Sequence, residues 1–257
     1  MTFFCPSCSK QIVHNNVAWS RCDTCHAMVF PQTSDLKVIV AHESENIAAR
    51  IGFIVAETGL WPMHAPNGAI AMHLLEKKHP HAAVLDVALP EVMSFQIIER
   101  IRSRKEFNGI KVILIASVFN HTAYKRRPTS LYGADDYVEQ HHVHDLLPEK
   151  LCALLQIPAP SSHEKFKAID GPDTRNELNR SERILTLARS IAADVALYHQ
   201  QELSKLSKGE RDERLDVAID EGRRLLADMV GGQAAVQGDP IAEALAAIVA
   251  ELRGGTA

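Results

Sequence analysis

No apolar run in this chain approaches the roughly 20 residues that a membrane-spanning helix needs. The opening Met1-Thr2-Phe3-Phe4-Cys5 lacks a basic stretch followed by an apolar one, so no secretory signal is expected. Charge of one sign is scarce as well. Residues 1–36 balance Lys10 and Arg21 against Asp23 and Asp35, and residues 37–157 hold thirteen basic and thirteen acidic side chains. The net charge of −4 therefore sits in residues 158–257, with thirteen basic side chains against seventeen acidic ones. Neither DNA nor an anionic membrane is expected as a partner, because no segment offers the basic field that either attracts. There is no internal repeat, no low-complexity tract, no glycine-rich phosphate loop and no nucleophile–base arrangement. A free-standing enzyme is not expected. These absences leave a cytoplasmic protein, in which clustered thiols stay reduced and more often bind metal than form disulfides.

What is present divides by composition. At 257 residues, with 46% apolar and 23% charged side chains, the chain can build two or three modest units. Residues 1–33 hold four of the five cysteines and little that could form a core. Over 37–157, short aliphatic runs (Val38–Ala41, Ala82–Leu85 and Val112–Ile115) alternate with amphipathic stretches over Asn46–Thr58, Asn67–Lys78 and Glu91–Arg104. That alternation predicts βα units around a parallel sheet covered on both faces. Residues 158–180, interrupted by Pro158, Pro160, Gly171 and Pro172, read as a linker. Three helices are expected over 181–253: one capped by Ser181, one from about Glu210 to Val230, and one opened by Asp239-Pro240. Helices of this length are marginal alone, so they should pack together or self-associate as a homodimer.

Cys5-Pro6-Ser7-Cys8 and Cys22-Asp23-Thr24-Cys25 are two CxxC pairs separated by thirteen residues. Each CxxC turn puts two thiolates on one side of a tight knuckle, and two knuckles complete a tetrahedron around structural Zn²⁺. A closed four-thiolate site leaves no open position for chemistry. Disulfides or a redox dithiol are the competing readings. The motif, with Cys25-His26-Ala27-Met28-Val29-Phe30, resembles the N-terminal zinc ribbons of bacterial regulatory proteins, which usually read CPxC…CxxCGxxF. His26 stands where the glycine would be. His14 and His26 are spare candidate ligands, and Cys152 reads as core.

Residues 37–157 resemble the receiver domain of two-component response regulators. The match rests on Lys37-Val38-Ile39-Val40-Ala41, on Gly59 and Ala65-Pro66-Asn67-Gly68, on Val84-Leu85-Asp86-Val87-Ala88-Leu89-Pro90, and on Gly133-Ala134-Asp135-Asp136-Tyr137. The resemblance implies a flavodoxin-like, doubly wound (βα)5 α/β fold; the ribbon precedes it, and the helical pattern over 181–253 adds an all-α domain after it. It implies Asp86 as phosphoacceptor, with a histidine kinase as partner. It implies Mg²⁺ held by Glu43, Asp86 and the carbonyl of Ala88, and switch positions at Ser117, Tyr137 and Gln140.

Departures from the pattern weaken that chemistry. His42-Glu43 replaces the usual acidic pair, Ala116-Ser117 shifts or loses the hydroxyl, and Gln140 replaces the lysine. Arg126-Arg127-Pro128 falls where the fourth helix is expected. Asp86 is therefore either phosphorylated, slowly, or a carboxylate kept by descent in a constitutive pseudo-receiver scaffold. Tyr137 is either a toggling aromatic or an aromatic on a half-buried strand edge. Gln140-His141-His142-Val143-His144 reads as a polar loop, since no convergent cage is visible in sequence. The basic clusters Arg102-x-Arg104-Lys105 and Lys125-Arg126-Arg127 read as solvated faces. The favoured function is a response-regulator-like signalling adaptor. The alternative is a nucleic-acid-binding transcriptional regulator using the ribbon.

Overall fold

The computed structural model describes residues 2–13, 19–116, 131–159, 180–206, 212–230 and 238–254. Ser117, His14, Arg126-Arg127-Pro128, Lys125 and linker residues 160–179 lie outside that set. The described residues divide into two units, one drawn from 1–116 and 132–174, the other from 117–131 and 175–257.

In the first unit, β1 (Thr2–Phe4) pairs antiparallel with β2 (Gln11–Val13), and β3 (Ser20–Arg21) with β4 (Met28–Val29). The chain then alternates: β5 (Lys37–Ala41), α1 (Glu45–Glu57), β6 (Trp61–Ala65), α2 (Gly68–Lys78), β7 (Ala82–Asp86), α3 (Ser94–Ser103), β8 (Lys111–Ala116). After the undescribed stretch come β9 (Asp136–Glu139) and α4 (Val143–Leu155). The parallel strands run in the order β6-β5-β7-β8-β9, with β4 and β3 added beyond β6. Numbered within the parallel part, that order is 2-1-3-4-5, the flavodoxin-like doubly wound fold that the resemblance implies.

Continuous apolar strands are what a sheet covered on both faces requires. Val38, Val40, Val84, Ile113, Ile115 and Val138 pack on one face against α1 and α4, through Ile51, Ile54, Leu147 and Leu151. The helices α2 and α3 contact each other, and α2 also contacts β5 and β6. The third helix starts at Ser94, three residues later than its periodicity predicts. Pro90-Glu91-Val92 is held in a turn instead: Gly68 N donates to Pro90 O at 3.0 Å and Asn67 Nδ2 to Glu91 Oε1 at 2.7 Å. Asn67 also caps α2, accepting from Ile70 N at 2.8 Å.

Arg102, Arg104 and Lys105 are exposed, as a solvated face requires, but Arg102 does more than face water. Its guanidinium donates to Gly133 O (2.7 Å), Ile110 O (3.0 Å) and Asp135 Oδ2 (2.7 Å), and Asp135 Oδ2 also accepts from Val112 N at 2.7 Å. Arg102 therefore clamps the entry to β9 to the entry to β8. A planar fork with five donors suits it to three acceptors at once.

The second unit contains α5 (Arg180–Tyr198), α6 (Gln200–Leu206), α7 (Glu213–Val230) and α8 (Pro240–Gly254). Ser181 lies inside α5 and does not cap it, and α6 is a helix the sequence reading omitted. Ile184, Leu187, Ala188, Ile191, Leu226 and Ile241 form its core. Asp239 caps α8, accepting from Ala242 N at 3.1 Å, and Arg223 pairs with it from α7. Among the described residues no helix is long and apolar enough to cross a membrane.

Candidate metal centre and acceptor site

The two CxxC segments fold as equivalent knuckles. Cys5 N donates to Lys10 O and Ser9 N to Cys5 O, both at 2.8 Å. In the second knuckle Cys22 N donates to Ala27 O at 2.9 Å and His26 N to Cys22 O at 2.8 Å. Both closing residues are left-handed, with φ 60° at Ser9 and 57° at His26. This explains why ribbons of this type favour glycine at the position His26 occupies.

The knuckles interleave their sulfurs. Cys5 Sγ lies 3.5 Å from Cys25 Sγ, and Cys8 Sγ lies 3.5 Å from Cys22 Sγ. All four lie within 4.8 Å of one another, and none is disulfide-bonded. Ligands about 2.3 Å from a tetrahedral ion stand about 3.8 Å apart, so the donor set fits Zn²⁺. Burial pushes the Cys5 and Cys25 thiols up, and neighbouring thiols add to the shift at Cys25. At Cys22 burial works in the same direction, but the N–H groups of Cys25 and Thr24 and the neighbouring thiols outweigh it, drawing it down to about 7. Cys152 is buried in α4 as core.

The ribbon is continuous with the parallel sheet. Val29 of β4 pairs antiparallel with Met63 of β6, covering what would be an open edge. Phe30, Met28, Ala48 and Ala49 form one apolar cluster, Trp61 Nε1 donates to Phe30 O at 3.3 Å, and Arg21 forms an ion pair with Glu45.

Sequence reasoning passed over His64, which joins the two sites. It is 1% exposed. Its Nδ1 accepts from Met28 N at 3.1 Å, which assigns the ring proton to Nε2, facing His42 O at 3.4 Å. Burial lowers its pKa to about 4, so the ring is neutral. The available signal was an isolated histidine in an otherwise apolar strand.

The strand register aligns the carboxyl ends: Ala41 opposite Ala65 and Leu85, Asp86 opposite Ile115, and Ala116 opposite Glu139. Asp86 ends β7 and is 2% exposed. Its Oδ1 faces Ala88 N at 3.4 Å, and its backbone carbonyl accepts from the hydroxyl of Ser94. His42 stands beside it, with Nε2 3.8 Å from Asp86 Oδ2. Because His42 Nδ1 accepts from Ser44 N at 3.0 Å, the neutral tautomer carries its proton on Nε2, toward Asp86. His42 is therefore more than a lost carboxylate: an N–H dipole occupies the flank of Asp86.

Glu43 is half-buried next to His42, and Gln140 begins a short 3-10 turn directly after β9. Tyr137 is half-buried in β9, with Lys150 Nζ 5.5 Å from its ring centroid and donating to its carbonyl at 2.9 Å. Of the Mg²⁺ set, Asp86 and Ala88 are brought together at the rim. Glu43, Asp86 and the carbonyl of Ala88 are all oxygen donors, the class a hard ion such as Mg²⁺ takes, while the imidazole of His42 stands where a further carboxylate would add charge.

No protein-family profile matches the chain. It is 30% identical over 103 residues to "Probable transcriptional regulator ycf27" of Galdieria sulphuraria, covering 40% of this chain and 38% of that relative's length. It is 28% identical over 109 residues to "Uncharacterized 14.6 kDa protein in sodA1 3'region" of Leptolyngbya boryana, covering 41% of this chain and 79% of that one. Similar solved structures include the Francisella response regulator 1452 receiver domain, at 22% identity and a TM-score of 0.39, covering 47% of this chain and 96% of that one. The signal receiver domain of a DNA-binding response regulator from Colwellia psychrerythraea 34H aligns at 19% identity and a TM-score of 0.41, covering 47% of this chain and 98% of that one. The strand order of β5 to β9 is that of the receiver fold, with a four-cysteine cluster consistent with a zinc ribbon at its sheet edge.

Proposed function

We propose that this chain is a cytoplasmic, two-component-type signalling adaptor with Asp86 as its phosphoacceptor. The observation that carries the reading is a buried carboxylate at the carboxyl end of the central strand of a 2-1-3-4-5 parallel sheet, where doubly wound folds keep their chemistry. Zn²⁺ held by Cys5, Cys8, Cys22 and Cys25 staples the ribbon over residues 1–33, which braces the receiver-like domain over 37–157. The helices over 181–253 serve protein contacts, including a homodimer. The partner at Asp86 is a phosphodonor such as a histidine kinase.

Phosphoryl transfer to Asp86 forms a P–O bond as the donor's P–N bond breaks, and it concentrates negative charge on the phosphoryl oxygens. Catalysis of such a step is almost entirely positioning and charge stabilisation. His42 supplies an N–H dipole where a metal-binding carboxylate would stand, and Gln140 supplies an amide where a cation would stand. Neutral donors make bonds about half as strong as charged ones, so Asp86 is a slow acceptor. Incubation with acetyl phosphate and Mg²⁺, followed by intact-mass measurement, tests this. Slow, partial addition that vanishes in Asp86→Asn is expected; rapid stoichiometric addition overturns the slow-acceptor reading, and addition surviving in Asp86→Asn overturns the assignment. No addition at all would make the domain a constitutive scaffold.

The name of the Galdieria relative favours a second reading, a transcriptional regulator that binds nucleic acid. Salt-sensitive binding of duplex DNA or RNA by the full chain would support it. The even charge balance of residues 1–36 argues for protein partners instead.

A further inference from the structure

Beyond the thiolate cluster, a second group of ligand-type side chains converges where the sequence suggested only a polar loop. Glu139 ends β9, and the 3-10 turn Gln140–His142 brings His141 and His142 round to the same side. One ligand atom from each of Glu139, His141 and His142 lies within 4.8 Å of the others. His141 Nε2 stands 3.3 Å from Glu139 Oε2, and the two imidazole centroids are 4.1 Å apart. Nitrogen and carboxylate ligands about 2.1 Å from a tetrahedral ion would stand about 3.4 Å apart, so the first pair already has the spacing of a shared cation.

A carboxylate backs the group. Asp145 Oδ2 lies 3.9 Å from His142 Nδ1 and 3.4 Å from His144 Nε2. At these separations Asp145 adds negative charge beside the two imidazoles, which favours a cation there.

We propose that Glu139, His141 and His142 bind a second divalent ion, of the borderline transition-metal class represented by Zn²⁺. Two imidazoles and one carboxylate match an open Zn²⁺ site, with water completing the shell, whereas Mg²⁺ and Ca²⁺ select all-oxygen donors. The side chains of His141 and His142 are 51% and 48% exposed, so the ion reaches them without a change of fold. The site binds more weakly than four thiolates. It stands independently of whether Asp86 is phosphorylated.

Titration of the full chain with Zn²⁺, followed by calorimetry and metal analysis after gel filtration, tests it. The natural sequence should take up two equivalents, one tight and one at least tenfold weaker. The double substitution His141→Ala with His142→Ala should abolish the weaker equivalent and keep the tight one, with an unchanged circular dichroism spectrum and urea midpoint reporting that the variant has folded. Glu139→Gln should weaken the second equivalent about tenfold. A single equivalent in the natural sequence, or a second one that persists in the double variant, overturns the proposal.

Discussion

The ring of Phe30 lies so close over Gly52 that a Cβ on Gly52 would stand 2.3 Å from the ring's Cζ. Gly52 sits inside α1, where glycine costs roughly 1 kcal/mol relative to alanine. The close approach offsets that cost by letting the residue that closes the ribbon bury itself against the receiver-like domain. Gly52→Val should lower the unfolding free energy by about 1–3 kcal/mol, as overpacking does, while the thiolate zinc stays bound. Urea denaturation with parallel zinc analysis measures both; an unchanged midpoint contradicts the packing described.

His26 holds a left-handed φ of 57° at the close of the second knuckle. An L-residue there carries a strain of about 1–2 kcal/mol, partly cancelled in a glycine variant by the freer unfolded chain. His26→Gly should therefore raise the stability of the zinc-loaded protein by about 0.5–1 kcal/mol. A lower denaturation midpoint would show that the imidazole contributes something the backbone does not reveal.

His64 links pH to stability with a definite sign. Burial depresses its folded pKa to about 4, against an ordinary value near 6.5. Below that ordinary value the unfolded chain gains a proton that the folded one refuses. The contribution is complete above about pH 6.5 and is lost as pH falls toward 4, by about 3 kcal/mol in all. His64→Gln can keep an acceptor for Met28 N and a donor for His42 O without titrating. The natural sequence should lose more stability than this variant over that window, and parallel curves would refute the assignment.

Zinc uptake should release protons. Burial raises the Cys5 and Cys25 thiols above their ordinary range, so both are protonated in the metal-free ribbon at pH 7, yet zinc binds thiolates. Calorimetry in buffers of different ionisation enthalpy should register at least about two protons per tightly bound ion. Proton-neutral binding would mean the thiols are not the ligands.

At the acceptor site, His42→Asp restores a carboxylate beside Asp86. Acetyl phosphate labelling with Mg²⁺ should then accelerate at least about tenfold, the equivalent of roughly 1.4 kcal/mol in the barrier. Equal labelling rates in variant and natural sequence would locate the slow step elsewhere, at Gln140 or beyond.

Much of this protein follows from local pattern. Two CxxC turns at that spacing can close only a small ring of chain, so the four-sulfur cluster could be named before any fold was known. Uninterrupted aliphatic strands require cover on both faces, which marks a parallel sheet and puts Asp86 at a strand end. Tertiary structure alone decided the rest, because it depends on contacts between residues far apart in the chain. Val29 pairs with Met63, Phe30 fills the space above Gly52, and His64 joins Met28 to the carbonyl of His42. Arg102 became a clamp, and His141 and His142 converged with Glu139, because a strand end and a tight turn set directions that one-dimensional spacing does not carry.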